Sequence, residues 1–311
     1  MIPSDYIEFN KKREIGDIIT DTFKFLRKNL KPLFSVLLKT LLIPFILLVV
    51  AVAYYSMATS EMDTIYFLRN YNNIANIIIS VVVLAAMLII YSGMLYGTVS
   101  EYIMEYKKTQ GVPTEETILQ QVKKNSGSYI SLSFWNLLYI AGFPFLLFFL
   151  GGMIVGGVGF LGVLVILGAL VYMIYLYTRY AVIFPSYIHK NTTITSSFSS
   201  STELVRNEWW NTFLALFLLG LITAAISFVF QIPALIYVVS QEFVNPGEYS
   251  YAEPTTDWIL VIFQTISSSV GYLLYIIPAL AVNFIYFNLS ERKNQTGSLE
   301  RINAIGRSDE E

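Results

Sequence analysis

Six apolar stretches, each long enough to cross a bilayer, constrain this chain more than any other feature: 33–57, 73–99, 129–152, 156–183, 211–238 and 258–288. The hydrocarbon core of a membrane is about 30 Å thick, so a spanning helix needs about 20 mostly apolar residues. Lipid offers no hydrogen bonds to a bare backbone, and none of the stretches alternates with the period of two that a barrel strand requires. The sequence therefore predicts an all-α polytopic membrane protein with six transmembrane helices arranged as three hairpins. Composition agrees, since 14% of the residues are charged where a soluble domain devotes about a quarter to charge.

Charge sets the orientation. Cytoplasmic flanks of membrane helices carry an excess of Lys and Arg. Here nineteen of the 20 basic residues fall on one side of the six-span arrangement. They are Lys11, Lys12, Arg13, Lys24, Arg27, Lys28, Lys31 and Lys39 at the start; Lys107, Lys108, Lys123 and Lys124 in the second loop; Arg179, Lys190 and Arg206 around the fourth; and Arg292, Lys293, Arg301 and Arg307 in the tail. Only Arg69 falls on the other side, with the acidic loop residues Glu61, Asp63, Glu242, Glu248, Glu253 and Asp257. Both termini are expected in the cytoplasm. The expected organisation is a cytoplasmic N-terminal segment (1–32), a six-helix membrane domain (33–288) and a cytoplasmic tail (289–311). A cleavable signal is not expected, because the first apolar run follows a long charged lead.

Each hairpin is expected to follow a cytoplasmic amphipathic helix lying in the headgroup plane. In the first, Ile15, Ile18, Ile19, Thr22, Phe23, Leu26 and Leu30 share one helical face. The second starts at Pro113 and Thr114, with Glu115 and Glu116 in its first turn, Lys123 and Lys124 in its last, and an apolar face of Ile118, Leu119 and Val122. The third runs from Ser201 through Leu204 and Val205 to Trp209 and Trp210. Each ends on a base followed by asparagine: Lys28-Asn29, Lys124-Asn125 and Arg206-Asn207. These pairs point to three related units, although Pro44, Pro144 and Pro233 do not keep the same register.

Three strings carry a likeness to a known family: EIGDIITDTFKFLRKNLKPLF (Glu14 to Phe34), TRYAVIFPSYI (Thr178 to Ile188) and YFNLSERKNQTGSLERINAIG (Tyr286 to Gly306). Together they resemble the membrane domain attached to some bacterial glycerophosphodiester phosphodiesterases. That domain also occurs alone in bacterial membrane proteins, including some of Bacteroidetes type. The resemblance implies a six-helix inner-membrane domain. It does not bring the phosphodiesterase activity, because the soluble barrel that performs that chemistry in the full-length enzymes is absent from this sequence.

No cysteine is present and His189 is the single histidine, so cysteine-based redox or metal chemistry and multi-histidine sites are excluded. No cofactor, metal site or nucleic-acid partner is expected. The candidate polar contacts in or beside the membrane are Lys39, Glu101, Arg179 and Asn283, since intramembrane polar groups are functional suspects by default. Lys39 can snorkel to the cytoplasmic headgroups or contact another helix. Arg179 can bind across helices or take a lipid phosphate, and Glu101 can pair with either base. Gly152 and Gly156 have the spacing of a close helix approach within a glycine-rich turn. Ser267, Ser268, Ser269 and Gln231 either line a cavity or hydrogen-bond between helices. His189 is expected in solvent beside the membrane. Two functional readings follow. One is a non-enzymatic subunit or scaffold of a bacterial cytoplasmic-membrane complex, with membrane lipids and other subunits as partners. The other is a transporter, channel or lipid-handling protein.

Overall fold

The computed structural model describes residues 6–60, 71–244 and 257–295, without the side chains of 60, 71–73, 156–158, 242 and 244. Glu61, Asp63, Arg69, Glu248, Glu253, Arg301 and Arg307 lie outside the described residues, as does the side of Gly156 on which a Cβ would stand. Among the described residues all regular structure is helical: α1 (Ile15–Ser60), α2 (Tyr71–Lys108), α3 (Glu115–Arg179), α4 (Ile183–Lys190), α5 (Ile194–Val205), α6 (Trp209–Val244), α7 (Trp258–Leu273) and α8 (Ile276–Asn294). Six stretches are long and apolar enough to span a bilayer: Ile15–Thr59, Ile74–Lys108, Glu115–Val155, Gly159–Lys190, Trp209–Gln241 and Trp258–Asn294. The chain is a multi-pass membrane protein.

The third and fourth spans both belong to α3, whose helical hydrogen bonding persists through the glycine-rich segment. The chain nevertheless reverses there. A Cβ on Gly162 would lie 2.6 Å from the Gly151 carbonyl oxygen, whereas a straight helix would separate these residues by roughly 16 Å. The rings of Phe143 and Tyr172, 5.8 Å apart, continue the antiparallel pairing. A turn with that little room admits only hydrogen at Gly151 and Gly162. Gly152 is not the packing residue that its spacing predicts, for nothing lies within 4 Å of its Cβ position.

The amphipathic segments are helical, but two of the three are continuous with the spans that follow. The first forms the opening turns of α1 and the second the opening turns of α3. The third is divided, since Trp209 and Trp210 open α6 while Ser201–Val205 close the separate helix α5. Its N-cap Thr193 accepts from the Ser196 amide at 3.3 Å, and a break at 206–208 parts it from α6. Between α3 and α5 lies α4, which ends where Asn191 takes the left-handed conformation at φ 49°, one that asparagine tolerates better than most residues. The span predicted over 258–288 is also interrupted, between α7 and α8. Pro278 cannot donate to the Leu274 carbonyl and its ring crowds that carbonyl, which accounts for a break at that position.

The chain forms two compact units. Unit 1 comprises Met1–Thr40, Gly93–Leu219 and Ile277–Glu311. Its core holds an aromatic cluster in which Phe9 stacks on Phe284 at 4.9 Å and meets Phe25 edge-on at 5.7 Å, with Tyr106 5.0 Å from Phe25. A second cluster joins Tyr129, Leu132, Ile183, Phe184, Ile188 and Phe198. The face of α1 that is buried runs Ile18, Thr22, Phe25, Asn29, Leu33 and Val36. It overlaps the stripe read from the sequence only at Ile18 and Thr22: Leu30 of that stripe is exposed, while Phe25 and Asn29 are inside. A membrane reverses the usual rule, since lipid accepts the apolar face and the interior takes the polar groups that can find partners.

Unit 2 comprises Leu41–Ser92 and Gly220–Ile276. Its helices are tied by buried side chains that donate to a neighbouring backbone. Ser267 donates to the Phe230 carbonyl at 2.7 Å, and Tyr91 donates to that of Tyr272 at 3.1 Å. Ser267 is therefore an interhelical tie, whereas Ser269 donates within its own helix to Thr265. Asp257 caps α7 by accepting from the amides of Ile259 and Leu260, and also accepts from Tyr237 at 3.0 Å.

Candidate functional site

Every Lys and Arg among the described residues belongs to unit 1. Lys11, Arg13, Lys39, Arg292 and Lys293 form ion pairs with carboxylates. Arg13 is the most enclosed of these. It is 2% exposed, just ahead of α1, with its guanidinium donating in three directions: Nε to Asp21 at 2.9 Å, one terminal nitrogen to the Phe9 carbonyl at 2.7 Å, and the other to the Glu8 carbonyl. It also lies over the Phe284 ring at 5.1 Å. Its backbone amide donates to Asn288 at 2.7 Å and its carbonyl accepts from Arg292 at 3.0 Å. Burial draws the Arg13 guanidinium below its usual pKa, while hydrogen bonding to Asp21 acts in the opposite direction. This knot joins the chain's entry segment to α1 and α8. A cavity of about 310 Å³ lies beside it, lined in part by Arg13, Gly16, Asn211, Asn288 and Arg292.

The other engaged charges tie helices in pairs. Lys39 on α1 forms an ion pair with Glu115 on α3, which also accepts from Ser35 at 3.2 Å. Arg292 on α8 reaches Glu208 at the start of α6 at 3.4 Å, and Lys293 meets Glu203 on α5 at 2.5 Å. Lys293 thereby holds the Glu203 carboxyl below its ordinary range. Glu101 pairs with neither Lys39 nor Arg179. It is buried on α2 and accepts from the Tyr129 hydroxyl at 2.5 Å.

Glu101 and Tyr129 meet because α2 and α3 approach closely at two glycines. A Cβ on Gly93 would lie 2.7 Å from the Tyr129 carbonyl oxygen, and one on Gly97 would overlap the Tyr129 ring. Gly93 and Gly97 have the same spacing as Gly152 and Gly156, and the sequence reading passed over them. The signal was present as a small-residue pair one helical turn apart, followed four residues later by Glu101.

Asn283 and His189 also come together. Asn283 donates to the Ala279 carbonyl at 2.9 Å within α8 and contacts His189 Nε2 at 3.4 Å. The imidazole stacks on Tyr286 at 5.5 Å and meets the edge of Phe287 at 4.7 Å. The expectation of a solvated histidine is thus corrected, because α4 lays it against the aromatic face of α8. The asparagines of the proposed repeat have unequal surroundings. Asn29 is buried and bonded to the Phe25 carbonyl and Tyr102, whereas Asn207 is exposed.

Arg179 and Arg206 lie together, and neither forms an ion pair among the described residues. Arg179 closes α3, donates Nε to Thr202 at 3.1 Å, and lies 6.0 Å from the Tyr175 ring centre and 5.7 Å from that of Tyr180. Arg206, exposed at the end of α5, lines the same cavity of about 270 Å³ together with Tyr175, Thr202 and Trp209. The adjoining groove, about 560 Å³, adds Val171, Ile174 and Trp210. Trp209 stacks on Tyr175 at 6.0 Å and donates to its carbonyl. Among the described residues no group of three His, Cys, Asp or Glu could hold a metal ion. No protein-family model, curated protein or solved structure matches the chain.

Proposed function

We propose that this chain is a non-enzymatic subunit or scaffold of a bacterial cytoplasmic-membrane complex, with both termini in the cytoplasm. The observation that carries this reading is how the ionisable groups of unit 1 are used. Arg13 with Asp21, Lys39 with Glu115, Arg292 with Glu208 and Lys293 with Glu203 each fasten one chain segment to another. Hydrolysis inside a membrane calls for paired carboxylates, or a nucleophile and its base, facing one cavity. Glu101, the buried acid nearest to such a role, is occupied by Tyr129. Charges spent on bracing suit a component that presents a fixed surface.

The concentration of described bases in unit 1 supports the cytoplasmic assignment of the end that carries them. The resemblance of the three quoted strings to a bacterial membrane domain supports the compartment. Extraction of chromosomally expressed protein under mild conditions tests the function, with cross-linking in the intact membrane beforehand. A fixed-stoichiometry protein partner found by both routes is the expected result. A strictly monomeric chain in native membranes, giving no cross-linked species, would overturn the subunit reading and favour transport or lipid handling.

A further inference from the structure

We infer that the groove between the end of α3 and the α5–α6 turn binds the phosphate of an anionic glycerophospholipid. The phosphate sits between Arg179 and Arg206, and an acyl chain runs along Val171 and Ile174. The inference stands apart from the subunit reading, since a scaffold and a lipid handler could each hold such a lipid.

Three observations converge on it. First, Arg179 and Arg206 line one cavity, and neither has a carboxylate partner among the described residues. Only Nε of Arg179 is spent, on Thr202, which leaves the terminal nitrogens in a geometry suited to phosphate oxygens. Glu208 borders the groove, but it accepts from Arg292 at 3.4 Å and from Asn211 at 2.5 Å, so its charge is already met. The site therefore favours a lipid with net negative charge.

Second, the groove has an aromatic wall of the kind that lies at headgroup depth. Tyr175, Trp209 and Phe213 stack in sequence, and Trp210 is 69% exposed beside them. Trp and Tyr concentrate at membrane interfaces because one end is apolar and the other polar. Third, the groove continues from charge into hydrocarbon. Val171 is 68% and Ile174 44% exposed, about two turns and just over one turn from Arg179 toward the span. A free phosphate would use the arginines and leave this apolar wall idle, whereas a phospholipid uses both.

Two of the four tryptophans line the groove, so fluorescence reports its occupancy. The protein is reconstituted into phosphatidylcholine vesicles containing either brominated phosphatidylglycerol or brominated phosphatidylcholine at equal mole fraction. Stronger quenching by the brominated phosphatidylglycerol is expected. Arg206→Gln, at an exposed position that no fold contact needs, should reduce that preference roughly fivefold. Lys123→Gln, a base removed elsewhere, should leave it in place. Equal quenching by both lipids in the wild type would overturn the inference, as would an Arg206→Gln variant with unchanged preference. Adding inorganic phosphate should not relieve the quenching. Relief at millimolar phosphate would overturn the lipid assignment in favour of a free-anion site.

Discussion

Replacing Gly93 with alanine should destabilise the protein, although alanine is the better helix former. The new Cβ would stand 2.7 Å from the Tyr129 carbonyl oxygen and 3.0 Å from the Ile130 Cα, where ordinary contact begins at 3.4 Å. Those atoms are backbone, so no side chain can rotate away. α2 and α3 must part locally by roughly 0.7 Å, a gap that forfeits a quarter to a half of each dispersion contact across it. A buried side chain makes about 50 such contacts of about 0.15 kcal/mol each, so the loss around Tyr129 is about 2–4 kcal/mol. Helix propensity returns up to about 1 kcal/mol. The net cost is about 2 kcal/mol, within the usual range for overpacking. Gly152→Ala is the control. Its Cβ meets open space, so that variant should be neutral or up to about 1 kcal/mol more stable. Unfolding both variants in mixed micelles with increasing dodecyl sulfate, followed by far-ultraviolet circular dichroism, measures the difference. A Gly93→Ala protein as stable as Gly152→Ala would refute the close approach of α2 and α3.

Arg13→Met should cost about 1–3 kcal/mol in the same unfolding assay, because it leaves the carbonyls of Glu8 and Phe9 without their donor and Asp21 with Lys11 alone. A loss below about 1 kcal/mol would mean the knot does not form. Lys39→Gln removes an exposed ion pair and should change stability by less than about 1 kcal/mol. A large loss there would place Lys39 in a far drier setting. Tyr129→Phe deprives the buried Glu101 carboxylate of a donor and should cost about 1–3 kcal/mol; adding Glu101→Gln should then cost little more, because the two act as one unit. The chain has no cysteine, so single replacements report topology cleanly. Lys124→Cys should resist a membrane-impermeant maleimide in intact cells, and Ser250→Cys should react; the reverse pattern would invert the proposed orientation.

The spans were legible in the sequence because the bilayer imposes a length and a composition on each helix independently of the others. Leu33 to Val50, or Ile77 to Ile90, reads as membrane helix without knowledge of any neighbour. Even the reversal in the glycine-rich segment could be read locally, since only glycine tolerates so tight a turn. What the tertiary structure decided is which polar and small residues meet. Apolar periodicity cannot show the inner face of a helix when lipid is as apolar as the core, so Phe25 and Asn29 turn inward on α1 while Leu30 faces out. Equal spacing could not separate Gly93 and Gly97, which seat Tyr129, from Gly152, which seats nothing. Glu101, Lys39 and His189 found Tyr129, Glu115 and the rings of α8. A charge or ring takes its partner from whichever helix lies across from it, and that is a property of the packing of helices distant in sequence, not of any one segment.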